Sequence, residues 1–179
     1  VGFLDCSLHR SRPTCPPLGY RWAVPSAVKL PDRGTLIVAT DLQGNVQDFL
    51  RVAEVFEEAN VEPDGAVLVV TGDLVHGPEI PQHSWPAYLG TFFKADSGEL
   101  LTHAKKLADR YPGQIYYLIG NHEHAHIGGP IVSKFFPNEA LRLEQQMGRK
   151  MSREMHDWFI TWPLIALAQE AKLLMMHAA

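Results

Sequence analysis

Four short apolar runs each hand the chain over to a residue able to bind a cation, and no other feature limits the fold so tightly. Residues 35–40 run into Asp41-Leu42-Gln43-Gly44-Asn45, and residues 66–71 into Gly72-Asp73-Leu74-Val75-His76-Gly77. Residues 115–119 run into Gly120-Asn121-His122-Glu123, and residues 172–176 into His177-Ala178-Ala179. Apolar runs of this length read as buried strands. Side chains just past the carboxyl ends of neighbouring strands converge on one crevice. Carboxylate, amide and imidazole donors meeting there suit a hard or borderline divalent cation. Singly, each residue has a plainer reading. Asp41 and Asp73 could cap helices, Asn121 could close an Asx turn, and His177 could be a satisfied core histidine. Their recurrence in order favours the shared site.

The segments between the runs predict helices. Asn45 is a good N-cap with Asp48 three positions on, and Val46, Phe49, Leu50, Ala53 and Phe56 keep helical spacing. Leu100, Leu101, Ala104, Leu107 and Ala108 form a second stripe, ended by Tyr111-Pro112-Gly113. Strand, helix, strand, helix, strand predicts an α/β fold with a parallel βαβαβ core and right-handed crossovers. Residues 77–98 break the pattern with Pro78, Pro81 and Pro86 among Trp85, Tyr88, Phe92 and Phe93. They read as an insertion beside the site, with a short helix over 87–94, that sets the substrate. Residues 124–129 read as a flexible, solvated loop, His124 and His126 included. Residues 138–158 read as one long helix, and Met147, Met151 and Met155 as core or lid packing. Residues 163–168 and 172–176 read as two strands joined by a polar turn. His9, His83, His103 and His156 read as structural or exposed, and Glu123 as an acceptor for nearby backbone.

Residues 1–34 carry five prolines and read as an extended arm, pinned by Tyr20 and Trp22, ahead of a domain over 35–179. Cys6 and Cys15 read as reduced and incidental. The chain has 179 residues, 46% of them hydrophobic, which is one domain with a real core. Its net charge of −4 and lack of a basic cluster leave nucleic acid without a landing surface. No run is long enough to span a membrane, and no signal peptide is evident, so a cytoplasmic location is expected.

In order, the segments resemble those of the calcineurin-like metallophosphoesterases, the serine/threonine protein phosphatase branch and its bacterial relatives in particular. That family reads Asp-x-His-Gly, Gly-Asp-x-Val-Asp-Arg-Gly, Gly-Asn-His-Glu, a strand ending in His-Gly, and a last His. The likeness spans residues 35–179 and includes Trp162-Pro163-Leu164 where the family has Leu-Pro-Leu. It implies that the βαβαβ core belongs to a four-layer αββα sandwich, incomplete here at its C-terminal side. It implies two divalent metal ions, Mn, Fe or Zn, which activate a hydroxide to hydrolyse a phosphate ester. Asp73 would bridge them, with Asn121 and His177 completing one site and Asp41 and Gln43 the other. His122 would protonate the leaving oxygen, and His76 and Asn121 would meet the substrate, a phosphorylated protein or small molecule.

Three departures from the pattern bear on function. Gln43 stands where the family has a ligand histidine. His76 and Gly77 stand where it has an Asp that orients the acid and an Arg that grips phosphate. The chain stops two residues after His177, before the last histidine, as a piece of a longer chain would. These departures keep two other readings open: a dinucleoside polyphosphate or other phosphodiester hydrolase, and a non-catalytic module that recognises phosphate.

Overall fold

The structure is a computed structural model that describes residues 27–178. The predicted arm falls outside it up to residue 26, with Cys6, His9, Cys15, Tyr20 and Trp22. Three parallel strands form the first sheet: β2 (Thr35–Ala39), β3 (Ala66–Val70) and β4 (Ile115–Tyr117), in the order β2-β3-β4. The helices α1 (Val46–Ala59) and α2 (Ser97–Arg110) make the crossovers. This is the expected βαβαβ core.

Each helix starts where its cap dictates. The Asn45 side chain accepts from Asp48 N–H, and the Asp96 side chain from Glu99 N–H, which satisfies backbone donors that lack an intrahelical partner. Phe49 and Phe56 of α1, and Leu100, Ala104 and Leu107 of α2, then bury one face against the sheet. Strand β3 is buried on both faces. Its Leu68 and Val70 join the helix-side core, whereas Val67 and Val69 join a second core on the other side. That alternation follows from the two-residue period of a strand.

The second core lies against a second sheet. Its strands are β1 (Ala27–Lys29), β5 (Ile165–Ala168) and β6 (Leu173–Met176), in the order β1-β5-β6, with β1 parallel and β6 antiparallel to β5. Leu30, Ala166, Ala168 and Met175 face Val67, Val69 and Leu118 across the two sheets. Strand β1 is a short paired segment within residues 1–34, whose sequence reads as an extended arm with little regular structure. Ala27–Lys29 has no distinctive pattern of its own, and its pairing partner lies near the other end of the chain. On the outer face of this sheet Leu174 is 54% and Met176 55% exposed, and no helix covers it among the described residues. The described layers are therefore helices, sheet and sheet.

Two further elements complete the frame. The short helix α3 (Asn121–His124) passes into a 3-10 turn at Ala125–Ile127, so this stretch is helical rather than the expected open loop. Helix α4 (Glu139–Phe159), capped by Asn138, carries a break at Gly148, whose φ of 75° and ψ of 165° are not helical. The break takes Met151 out to solvent while Met155 stays buried, so the methionines do not form one stripe. In the insertion, 3-10 turns at Gln82–Ser84 and Ala87–Leu89 replace the expected helix over 87–94. Pro81 and Pro86 begin these turns, and Gly90, with φ of 72°, stops the second. Trp85 packs edge-on against Phe92 and Phe93 at 5.1 and 5.3 Å between centroids. No helix among the described residues is long and apolar enough to cross a membrane.

Candidate active site

The loops after β2, β3 and β4 lie on one rim and are joined by backbone. Asp41 N–H donates to Gly72 O (3.2 Å), Gln43 N–H to Asp73 O (2.8 Å) and Gly44 N–H to Leu74 O (2.6 Å). Among the described residues, four of the five non-glycine positive φ values fall in these loops: Asp41 (53°), Gln43 (44°), Asp73 (55°) and His76 (65°). Left-handed backbone costs a non-glycine residue on the order of 1 kcal/mol or more and persists only where the surroundings impose it.

Glu123 is the chief imposing group. It is fully buried, and its carboxylate accepts from Asp73 N–H (2.9 Å), Leu74 N–H (2.8 Å), Val75 N–H (3.3 Å) and Gly120 N–H (3.0 Å). It thereby ties the loop after β3 to the loop after β4, the backbone-acceptor role read from its sequence. Burial, and then Asp73, push its pKa up to about 7, against the pull of these N–H groups. Gly120 has to be glycine here, because a Cβ would fall 2.3 Å from Asp73 Oδ1 and 2.5 Å from Asp73 N.

The tie brings Asp73, Asn121 and His177 together. His177 Nδ1 lies 3.0 Å from Thr71 O, so the ring donates from Nδ1 and leaves Nε2 as a lone pair. That lone pair faces Asn121 Oδ1 at 2.9 Å and Asp73 Oδ1 at 3.5 Å. Three acceptor atoms turned toward one another fit a cation between them. Turning the amide over would instead let its NH₂ donate to His177 Nε2 at 2.9 Å and to Asp73 at 3.3 Å. Asp41 and Gln43 reach the rim differently. Their backbones adjoin Gly72 and Asp73, but the Asp41 carboxylate accepts from the Thr40 hydroxyl, and Gln43 Nε2 is buried without a partner.

His122 is 1% exposed beside this group. Its backbone N–H donates to Asp73 Oδ1 (3.2 Å), and its Nε2 lies 3.6 Å from Asp73 Oδ2. Its Nδ1 points the other way, into buried histidines. His122 Nδ1 is 3.0 Å from His76 Nδ1, and His76 Nε2 is 2.8 Å from His126 Nε2. His126 Nδ1 is 2.8 Å from Glu144 Oε1, which also lies 3.0 Å from His156 Nε2. Burial, then His126 and His122, hold His76 down to about 2, so it is neutral. Burial also lowers His126, against Glu144. Burial pushes Glu144 up, but its bonds to His126 and His156 outweigh that and hold it below the usual range.

The reading of His126 as a solvated loop residue is thus corrected. The turn at Ala125–Ile127 carries it inward, and its side chain is wholly buried. Sequence reasoning also missed Glu139, which is 2% exposed at the start of α4. Its Oε1 accepts from Phe135 and Phe136 N–H. Its Oε2 lies 3.2 Å from His122 Nδ1 and 3.5 Å from His76 Nδ1, as close contacts without an aligned hydrogen bond. The signal was faint: Glu139 shares the buried face of α4 with Ala140 and Leu143, and a carboxylate on an apolar face needs a partner.

Against known proteins, the model of the calcineurin-like phosphoesterase family matches residues 34–179. No curated protein matches the chain. Among solved structures it is similar to a candidate diadenosine tetraphosphatase, at 18% identity over 86% of this chain and 55% of that one, with a TM-score of 0.49. It is similar to a protein serine/threonine phosphatase from Saccharomyces cerevisiae, at 20% identity over 82% of this chain and 40% of that one, with a TM-score of 0.49. A cold-active protein tyrosine phosphatase follows at 16% identity, 79% and 40% coverage, and a TM-score of 0.44. The chain spans about half the length of these structures, or less.

Proposed function

Because the chain belongs to the calcineurin-like phosphoesterase family, we propose that it hydrolyses phosphate esters with divalent metal ions held at the Asp73 rim. Within the family we read it as a phosphatase of the serine/threonine-phosphatase-like type, from the order of its Gly72-Asp73 and Gly120-Asn121-His122-Glu123 segments. The observation that carries the reading is the convergence of Asp73, Asn121 and His177 with buried His122 beside them. Asp73, Asn121 and His177 would hold one cation, and Asp41 and Gln43 would join Asp73 at a second, with Mn, Fe or Zn as candidates. Such a centre supplies an activated water and stabilises charge on the attacking and leaving oxygens.

The remaining work falls to the chain's own residues. Glu123 and the backbone bonds between the loops hold Asp73 in place. His122 Nε2, on the Asp73 side of its ring, delivers a proton to the departing oxygen. That help is typically worth about 10²–10⁴-fold and matters most for a poor leaving group. His122→Asn should therefore slow an alkyl phosphate far more than an aryl phosphate, with metal content unchanged. An equal loss on both esters would end the assignment of His122 as proton donor.

One observation favours a second reading, a phosphate-recognising module without turnover. The Asp41 carboxylate is engaged by the Thr40 hydroxyl, and the Gln43 amide is buried with its Nε2 unpartnered. Metal analysis separates the two: bound metal with turnover supports the hydrolase, and neither supports the module.

A further inference from the structure

We infer that two carboxylates of helix α4, Glu144 and Glu139, act as positioning residues that fix the ring tautomer of His122, Glu144 working through His126 and His76. This rests on His122 being the proton donor, and it adds what makes one nitrogen of that ring available.

The argument is proton counting along contacts of 2.8–3.0 Å. A neutral imidazole carries one N–H and one lone pair. Glu144 accepts, so His126 donates from Nδ1 and offers a lone pair at Nε2. His76 must then donate from Nε2, which leaves its Nδ1 as a lone pair, because burial among imidazoles keeps it neutral. The only partner that satisfies that lone pair at 3.0 Å is an N–H on His122 Nδ1. Glu139 leans the same way. Its Oε2 is 3.2 Å from His122 Nδ1 and 3.5 Å from His76 Nδ1, so the proton shared by the two rings is drawn to the nearer nitrogen, that of His122. Oε2 has no aligned hydrogen bond in the structure, so a proton on Nδ1 is the group it can attract.

With Nδ1–H fixed, His122 exchanges protons only at Nε2, the atom 3.6 Å from Asp73 Oδ2. In the acid step the Nε2–H bond of the imidazolium breaks, the leaving oxygen takes the proton, and neutral His122 remains with its proton on Nδ1. The opposite tautomer would have to donate from neutral imidazole and become an anion. The chain thus sets its proton donor from helix α4, through side chains on the side of the His122 ring away from Asp73.

The test is nitrogen NMR of the imidazole rings in the metal-free protein at pH 8. The wild type should show His122 protonated on Nδ1, His76 on Nε2 and His126 on Nδ1. A proton on Nε2 of His122, or a different pattern in His76 or His126, overturns the inference, and this measurement needs no substitution. In the double variant Glu139→Gln/His126→Phe an amide replaces the carboxylate and the relay is cut. His122 should then shift its proton to Nε2. Turnover of an alkyl phosphate should fall by about 10–100-fold, the range for support residues of a site, with KM and metal content held. An unchanged tautomer, or a loss of metal, also overturns it. The readout is separate from the leaving-group test of His122→Asn, so failure of the tautomer pattern and failure of the proton-donor reading are distinguishable.

Discussion

Replacing Glu123 by Ala should cost the fold more than any other single change at the rim, and the cost should depend on pH. The side chain is fully buried, and it accepts from the N–H groups of Asp73, Leu74, Val75 and Gly120. A buried donor left without a partner costs about 1–3 kcal/mol, so stranding these donors costs on the order of 4–12 kcal/mol before water enters the gap. Against this stands relief from burying a carboxylate. Its pKa rises from the ordinary 4.5 to about 7, which converts to about 3 kcal/mol of strain on the ionised form. The net loss should be about 1–9 kcal/mol at pH 8. The sign of the pH effect follows from the raised pKa. The protonated side chain contributes fully below pH 4.5, and that contribution fades as pH rises through about 7. Glu123→Ala should therefore be more damaging at pH 5 than at pH 8, by up to about 3 kcal/mol. Urea unfolding of both proteins in chelator at the two pH values measures this. A loss below about 1 kcal/mol, or a larger loss at pH 8 than at pH 5, would refute the reasoning.

Two further substitutions probe the rim. In Gly77→Ala the new Cβ would sit 2.0 Å from Gln43 O and 2.4 Å from Ala95 Cβ. Overpacking of this kind costs about 1–3 kcal/mol, so the melting temperature should fall, and an unchanged value would mean that the loops are not packed as described. Gln43→His replaces a neutral amide, buried without a partner at Nε2, by a better ligand for Zn²⁺ or Mn²⁺. Metal titration should show tighter binding with the fold intact, and equal affinities would remove Gln43 from the ligand set.

The sequence made some features legible because they are local. Apolar runs, caps and stripes identified β2, α1, β3, α2 and β4, and the topology follows from their order. Asp73 and Asn121 were readable as rim residues because each stands just past its strand. The features that escaped depend on contacts between distant segments. Strand β1 gains its identity from pairing with β5, and Ala27–Lys29 alone does not show it. His126 reads as surface in a glycine-rich stretch, yet the turn after α3 carries it under α4. Glu139 and Glu144 look like ordinary helix carboxylates, and only the packing of α4 against α3 shows that they face the histidines.

The central claim is that Asp73 sits where metal and phosphate ester meet. The direct measurement is metal content and hydrolysis together, for wild type and Asp73→Asn loaded with Mn²⁺ and offered an aryl phosphate. The variant keeps the size of the side chain but loses the charge that faces Asn121 and His177. The account predicts that the wild type binds metal and turns over, whereas Asp73→Asn loses most of its metal and its activity while keeping its fold by circular dichroism. Near-normal turnover and metal content in Asp73→Asn would contradict it.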